Sequence, residues 1–205
     1  AMGGLLSSRG MPTFEEILKR LSGIAGIEIS ADEPLARHTR FGIGGPAALL
    51  VEAGTEAGFV AALGEVRRWG GRWMVMGSGT NLVVSDVGFD GVVLRYAGGG
   101  IERLGERGIR VEAGAELQAL VDFAVGRGLA GLERMTGIPG QVGAAIYGNA
   151  GAYGSSMADF VRRVRLFDGE KVREIEAAEV EFQYRSSVFK ERKEWLILSA
   201  ELEFA

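Results

Sequence analysis

Apolar residues recur along the chain in two rhythms, and the rhythm changes where glycine, proline or a capping residue intervenes. Phe14, Ile17, Leu18 and Leu21 share one face at helical spacing, behind Thr13-Phe-Glu-Glu16. Those four residues form a capping box: the Thr hydroxyl accepts from the first turn and the Glu reaches back. A helix is expected from Thr13 to Ser22, ended near Gly23. Thr55 likewise precedes Phe59, Val60, Leu63 and Val66, which predicts a second helix running to Trp69. Leu117, Leu120, Val121 and Val125 mark a third over residues 116–126. Extended runs are expected at 27–29, 48–52, 72–76, 83–84 and 92–94, with Glu33-Pro34 opening a turn. Past Gly98-Gly-Gly100, residues 101–104 and 109–113 read as a hairpin. Residues 161–167 and 171–175 flank Asp168-Gly169, a strong hairpin-turn signal. Residues 178–183 read as a helical turn and 195–204 as a closing strand. The expectation is an α+β protein of two lobes, 12–97 and 98–205, meeting near residues 96–100.

Glycine interrupts these rhythms in three places. The longest is Gly137-Ile-Pro-Gly-Gln-Val-Gly-Ala-Ala-Ile-Tyr-Gly-Asn-Ala-Gly-Ala-Tyr-Gly154. A flexible linker would pair its glycines with Ser and charge. This stretch carries Ile138, Val142, Ile146, Tyr147 and Tyr153 instead, residues expected to bury. Two readings stand level: a tight buried loop, or backbone brought close to a ligand whose phosphate oxygens its N–H groups cup. Gly77-Ser-Gly-Thr-Asn81 leaves the end of an apolar strand, where small residues let N–H groups and hydroxyls reach an anion. It is not the Rossmann fingerprint, because Leu82 stands at the third glycine position, and no Gly-Lys-Ser/Thr of a P-loop occurs. With Gly42–Gly45, these turns are spread over both lobes. Facing each other, they would make a cleft for a long ligand with a pyrophosphate, such as a dinucleotide.

Composition narrows the chemistry. The 205 residues include no cysteine, which removes disulfides, thiolate metal sites and cysteine nucleophiles. The single histidine argues against a Ser-His-Asp triad or a multi-histidine metal site, and no metal is expected. A net charge of −4 carries no basic surplus for nucleic acid. Arg162, Arg163 and Arg165 read as a solvated face. No apolar run reaches the length of a membrane span, and the first residues lack a basic region followed by an apolar one. Residues 1–11 read as a leader, with Met11 a second possible start. A cytoplasmic monomer acting on small molecules is expected.

Four segments in order carry a resemblance: Thr39-Arg-Phe-Gly-Ile-Gly-Gly-Pro-Ala47, Gly77-Ser-Gly-Thr-Asn-Leu82, Gly137-Ile-Pro-Gly-Gln-Val-Gly-Ala144 with Asn149-Ala-Gly-Ala-Tyr-Gly154, and Tyr184-Arg-Ser-Ser-Val-Phe-Lys190. The chain resembles the UDP-N-acetylenolpyruvoylglucosamine reductases, flavoenzymes of peptidoglycan precursor synthesis. The resemblance implies the two-lobed FAD-binding fold of the vanillyl-alcohol oxidase type, with mixed sheets flanked by helices. It also implies noncovalent FAD, NADPH as hydride donor and a UDP-sugar enolpyruvyl ether as substrate. Gly77, Ser78, Gly79, Thr80, Asn81, Gly137, Gly140, Gly143, Ala144, Asn149 and Gly151 are the implied cofactor-binding residues. Tyr184 is implied in substrate binding. Arg185 is implied as the catalytic residue that meets charge building on the substrate carboxylate with two hydrogen bonds.

The family also has a C-terminal substrate domain with a serine proton donor and a late glutamate, and neither motif occurs here. The chain is therefore expected to represent the FAD-binding part and to be incomplete for turnover. The alternative is a flavin- or nucleotide-binding module without its own catalysis. His38 is the one side chain able to tether a flavin covalently, as in some members of the wider fold, but the family binds FAD without a bond.

Overall fold

The computed structural model describes residues 13–204, so the leader read over residues 1–11 lies outside the described residues. The first helix, α1 (Phe14–Leu21), begins as its capping box dictates. Glu16 N donates to Thr13 Oγ1 at 3.3 Å, and Thr13 N donates to Glu16 Oε2 at 3.2 Å. The next helix, α2 (Glu56–Trp69), is capped by Thr55, whose Oγ1 accepts from Gly58 N at 3.1 Å. It stops at Gly70, where φ is +79°, a conformation glycine enters without the Cβ penalty. Its inner face buries Phe59, Leu63 and Val66, each burial stabilising by about 1.5–3 kcal/mol.

Strands β1 (Ile27–Pro34), β2 (Pro46–Ala53), β3 (Trp73–Val75) and β4 (Phe89–Tyr96) form the first sheet, in the order β1-β2-β4-β3. β1 runs antiparallel to β2, whereas β4 runs parallel to both β2 and β3. Next along the chain come β5 (Ile101–Leu104), β6 (Gly108–Glu112), α3 (Leu117–Val125) and α4 (Val142–Tyr147). A small hairpin, β7 (Gly151–Ala152) and β8 (Ser155–Ser156), precedes β9 (Val161–Phe167), β10 (Val172–Glu176), α5 (Ala177–Val180) and β11 (Leu196–Glu203). The second sheet is antiparallel throughout, in the order β10-β9-β11-β6-β5.

The sheets share a core. Leu49, Val51, Val92 and Leu94 of the first, with Phe59 and Leu63 of α2, pack in one cluster with Phe167 and Leu198 of the second and Ala113 just past β6. Arg165 of β9 adds a polar tie, donating through Nε and Nη2 to Glu56 at the start of α2, with Nη2 at 2.9 Å. Arg162 and Arg163 do lie on a solvated face, but a paired one, to Glu203 at 2.8 Å and Glu176 at 2.9 Å.

Several local expectations change. β1 continues through Glu33 to Pro34 instead of turning there, because Pro34 pairs with Pro46 at the strand end, where neither has an N–H to contribute. Val83-Val84 is not a strand. Parallel strands need a crossover of about a dozen residues or more, and residues 76–88 supply it between β3 and β4. That crossover lies against the Gly42–Gly45 turn: Gly45 N donates to Ser85 O at 2.9 Å, and a Cβ on Gly44 would come within 2.7 Å of Val84 Cβ. The expected helical turn at 178–183 shortens to α5. The long glycine stretch is not loop throughout, since α4 lies inside it. Val142 and Ile146 are buried as expected, but Tyr147 and Tyr153 are exposed, Tyr153 at the tip of the β7–β8 hairpin with φ +52°.

Candidate functional site

Two of the three glycine turns meet. β3 delivers the first: Met76 is buried and its N–H donates to Leu94 O at 2.9 Å, which fixes where Gly77-Ser-Gly-Thr-Asn81 leaves the sheet. The second is stitched to the loop after β6. Leu117 N donates to Gly140 O, Val142 N to Ala115 O and Gly143 N to Ala113 O, each at 2.8 Å. Gln141 is buried and donates through Nε2 to Gly114 O at 3.0 Å.

Across the gap, a Cβ on Gly140 would lie 3.2 Å from Thr80 Oγ1 and 3.9 Å from Ser78 Oγ. One on Gly77 would lie 3.0 Å from Gln141 Oε1. The Ser78 and Thr80 hydroxyls therefore face the Gly140 backbone. Among the described residues, no protein acceptor takes the N–H groups of Gly77, Ser78, Gly79, Thr80 or Asn81. A cluster of unspent N–H donors in such a turn can act as a cup for anionic oxygen.

Beside the cup opens a cleft of about 580 Å³. Trp73, Met76, Gly77, Gln141, Ala144 and Tyr147 contribute to its wall, and among the described residues Lys193 is the one charged residue lining it. Tyr96 also lines it; burial and the neighbouring Glu112 carboxylate push this phenol's pKa well up, so it stays protonated. Its OH donates to Glu112 Oε1 at 2.8 Å, while Gly100 N donates to Glu112 Oε2 at 2.6 Å. This latches β4 to β6 at the back of the cleft.

Asn149 carries the third component. It is buried, with φ +42°. Its Nδ2 donates to Gln183 O at 2.9 Å and its Oδ1 accepts from Ala158 N at 3.1 Å. Ser187 Oγ donates to Tyr147 O at 2.7 Å. These bonds fasten the tight turn 183–186 to the glycine stretch. In that turn Gln183 and Ser186 exchange backbone hydrogen bonds at 3.0 and 3.1 Å, and Lys190 Nζ donates to Arg185 O at 2.6 Å. Tyr184 and Arg185 project from it into solvent, Tyr184 at 92% exposure. Arg185 has φ +54°, a left-handed conformation that a bulky non-glycine residue adopts at an energetic cost. Such strain clusters at working sites.

The reason for individual glycines differs from the expected one. A Cβ on Gly79, at φ +63°, would overlap the His38 carbonyl oxygen. One on Gly151 would overlap Ser155 O, and one on Gly143 would come within 2.9 Å of Ala113 Cβ. These three admit neighbouring chain. Gly137 faces open space at φ +83°, with its N–H donating to Gln118 Oε1 at 2.9 Å. Asn81 and Ala144 are exposed. The expectations missed Gln141 and the polar partners of His38; a lone glutamine within an apolar glycine run was the available signal for the first.

The FAD binding domain family profile matches residues 47–173. The chain is 54% identical over 183 residues to the UDP-N-acetylenolpyruvoylglucosamine reductase of Solibacter usitatus (strain Ellin6076), covering 89% of this chain and 58% of that protein. Its fold is similar to the crystal structure of UDP-N-acetylenolpyruvylglucosamine reductase from Thermus caldophilus, at TM-score 0.69 and 31% identity, covering 87% of this chain and 62% of that one. A glucooligosaccharide oxidase from Acremonium strictum, whose FAD is described as 6-S-cysteinyl, 8α-N1-histidyl, matches at TM-score 0.69 and 14% identity, over 92% of this chain and 42% of that one. That likeness concerns the fold alone. The chain thus spans less than two thirds of the length of these relatives.

Proposed function

The chain belongs to the FAD binding domain family, and from that premise we propose that it is the flavin-holding part of a UDP-N-acetylenolpyruvoylglucosamine reductase. Its reaction would reduce UDP-N-acetylglucosamine enolpyruvate to UDP-N-acetylmuramate with NADPH as hydride donor. The residues fit a flavin dinucleotide. Free N–H groups of residues 77–81 and the Ser78 and Thr80 hydroxyls would hold the pyrophosphate from one side. Gly137, Gly140, Gly143 and Ala144 would approach it from the other, with Asn149 and Gly151 behind. The adjoining cleft has apolar and aromatic walls and, among the described residues, no lining carboxylate to repel the phosphates. Neither ring nitrogen of His38 is free for a covalent bond: one faces Glu33 and the other Arg95. This supports noncovalent FAD.

When bound, the flavin supplies hydride transfer from NADPH to the vinyl carbon. Negative charge then builds toward the substrate carboxylate. Arg185 would meet it: among the described residues its guanidinium has no carboxylate partner, and a planar fork can give a carboxylate two parallel hydrogen bonds. Tyr184, its neighbour on the turn, would contact the sugar nucleotide. Asn149 is the observation that carries the reading, because one buried side chain ties the Tyr184–Arg185 turn to the glycine stretch. On this reading the protein is a cytoplasmic monomer, with flavin seated between residues 12–97 and 98–205.

The test begins with flavin absorbance after incubation with FAD and gel filtration. The flavin is then reduced anaerobically with NADPH and mixed with the enolpyruvyl substrate, in the chain fused to the substrate domain of a relative. Arg185→Ala should retain flavin but slow substrate-dependent reoxidation by about 10²–10³-fold, the usual size for a lost charge-stabilising donor. Flavin binding with no substrate-dependent reoxidation in the unaltered chain fused to that substrate domain would favour the module without its own catalysis. A folded chain that takes up no flavin would reject both.

A further inference from the structure

His38 is the chain's one histidine, and the reading above gives it no task. It ends a short 3-10 helix, Leu35–His38, with its side chain 16% exposed. Nε2 lies 3.0 Å from Glu33 Oε1, and Nδ1 lies 3.2 Å from Arg95 Nη1. A guanidinium has no acceptor. Nδ1 must therefore present its lone pair to Arg95, while Nε2–H donates to Glu33. The contacts select one neutral tautomer.

The other charged groups around the ring offset each other. Arg37 Nη1 is 3.6 Å from Glu33 Oε1, and Glu52 Oε1 is 3.2 Å from Arg95 Nη1. Glu33 on β1 would favour an imidazolium but is shared with Arg37. Arg95 on β4 is shared with Glu52 on β2. The deciding contact is the one at Nδ1, where an added proton would set N–H against N–H. Among the described residues Arg95 Nε is already buried without a partner, so losing Nδ1 would leave this guanidinium with Glu52 as its remaining acceptor.

The backbone of the same residue borders the cup. The Gly79 turn is pressed against the His38 carbonyl, and Arg40 N donates to Gly79 O at 3.1 Å. Thr39 is buried, its Oγ1 donating to Ile43 O at 2.9 Å and its carbonyl accepting from Gly42 N at 3.1 Å. The ring is thus anchored to the first sheet while the main chain braces the donor turn from behind.

We propose that His38 is a positioning residue of the flavin cup: its neutral Nε2–H form, held between Glu33 and Arg95, braces the 77–81 turn, and protonation at Nδ1 releases that brace and weakens flavin binding. The proposal rests on the flavin reading and concerns a residue that acts through the backbone without touching the cofactor.

With one histidine, ¹⁵N-histidine labelling gives one pair of ring nitrogens. The flavin-free chain at about pH 7.5 should show Nε2 protonated and Nδ1 bare. FAD titrations should then show the unaltered chain binding about tenfold more weakly at about pH 5.5 than at about pH 7.5, the size of one lost charge-assisted hydrogen bond. His38→Asn keeps an acceptor but cannot titrate. It should bind more weakly than the parent at the higher pH, with the same affinity at both. An Nδ1–H tautomer, a pH-independent parent, or a variant that keeps the parent's pH slope would each overturn the proposal. If His38→Asn fails to fold by circular dichroism, the tautomer and the parent's pH profile still decide it. A folded parent that binds no flavin at either pH would refute the flavin reading and the cup with it, an outcome separate from the tautomer measurement.

Discussion

Replacing Arg185 with glycine should make the protein more stable and less active. Arg185 sits at φ +54°. An L-residue in the left-handed region is disfavoured by roughly 1–2 kcal/mol relative to its right-handed form. Glycine escapes that penalty but loses about 0.5–1 kcal/mol more on folding through its freer unfolded chain. The side chain offsets nothing, because among the described residues it makes no hydrogen bond or ion pair; only its carbonyl is used, by Lys190. The balance is a gain of about 0.75 kcal/mol, with an upper end near 1.5 kcal/mol. For a protein of this size 1 kcal/mol moves Tm by about 2–4 °C, so a rise of about 1–3 °C is expected by differential scanning fluorimetry. In the chain fused to a relative's substrate domain, reoxidation of NADPH-reduced flavin by the enolpyruvyl substrate should fall by about 10²–10³-fold. Arg185→Ala separates the two effects, keeping the strain while losing the guanidinium. It should match the glycine variant in rate and show no rise in Tm. A fall in Tm for Arg185→Gly would mean that the arginine packs as a structural residue. An unchanged rate would remove it from the chemistry.

The remaining predictions concern the parts around it. Gly79→Val should both lower Tm and abolish FAD uptake, since its Cβ would overlap the His38 carbonyl; Gly140→Val, at φ +120° where an L-residue is strained, should lower Tm and also FAD affinity, its Cβ meeting Thr80 Oγ1 at 3.2 Å from the cup side. Asn149→Ala strands Gln183 O and Ala158 N; about 1–3 kcal/mol of stability should be lost, and flavin reoxidation should slow with FAD still bound, as read by denaturant titration and stopped flow. Backbone N–H groups of Lys171 and Glu170 hold the Asp168 carboxyl below the usual carboxylate range. Its contribution is therefore present above the unfolded pKa and lost as pH falls through the lowered folded one. Asp168→Ala should cost stability at neutral pH, with the gap closing in acid; a pH-independent gap would show that the carboxylate's charge is not responsible.

How far the chain could be read without its structure depended on how far away the relevant partner lay. α1 and α2 were legible to within a residue, because Thr13, Glu16 and Thr55 cap through bonds three residues apart and the apolar faces repeat every turn. The hairpin at Asp168-Gly169 was legible for the same reason: Asp168 Oδ1 accepts from Glu170 N and Lys171 N at 3.0 and 2.9 Å. Val83-Val84 misled because β-branched residues favour extended backbone without specifying a partner strand. Tyr147 and Tyr153 misled because an aromatic residue reports apolar area without saying what covers it.

The candidate site divides along the same line. The sequence determined that the backbone must come close to something in the 77–81 and 137–154 stretches, since only repeated loss of Cβ permits that. It also placed Tyr184 and Arg185 together on one short segment. The tertiary structure decided what each glycine faces: His38 for Gly79, Ala113 for Gly143, Ser155 for Gly151, and the Ser78 and Thr80 hydroxyls for Gly140. It placed α4 inside the longest glycine run, through bonds to Ala113 and Ala115 roughly thirty residues earlier in the chain. It joined Asn149 to Gln183 and His38 to Arg95, pairs with no local signature. The missing side chain of a glycine records that space is needed, and a buried polar side chain records that a partner is needed. Which groups fill those needs is settled by the packing of the two sheets.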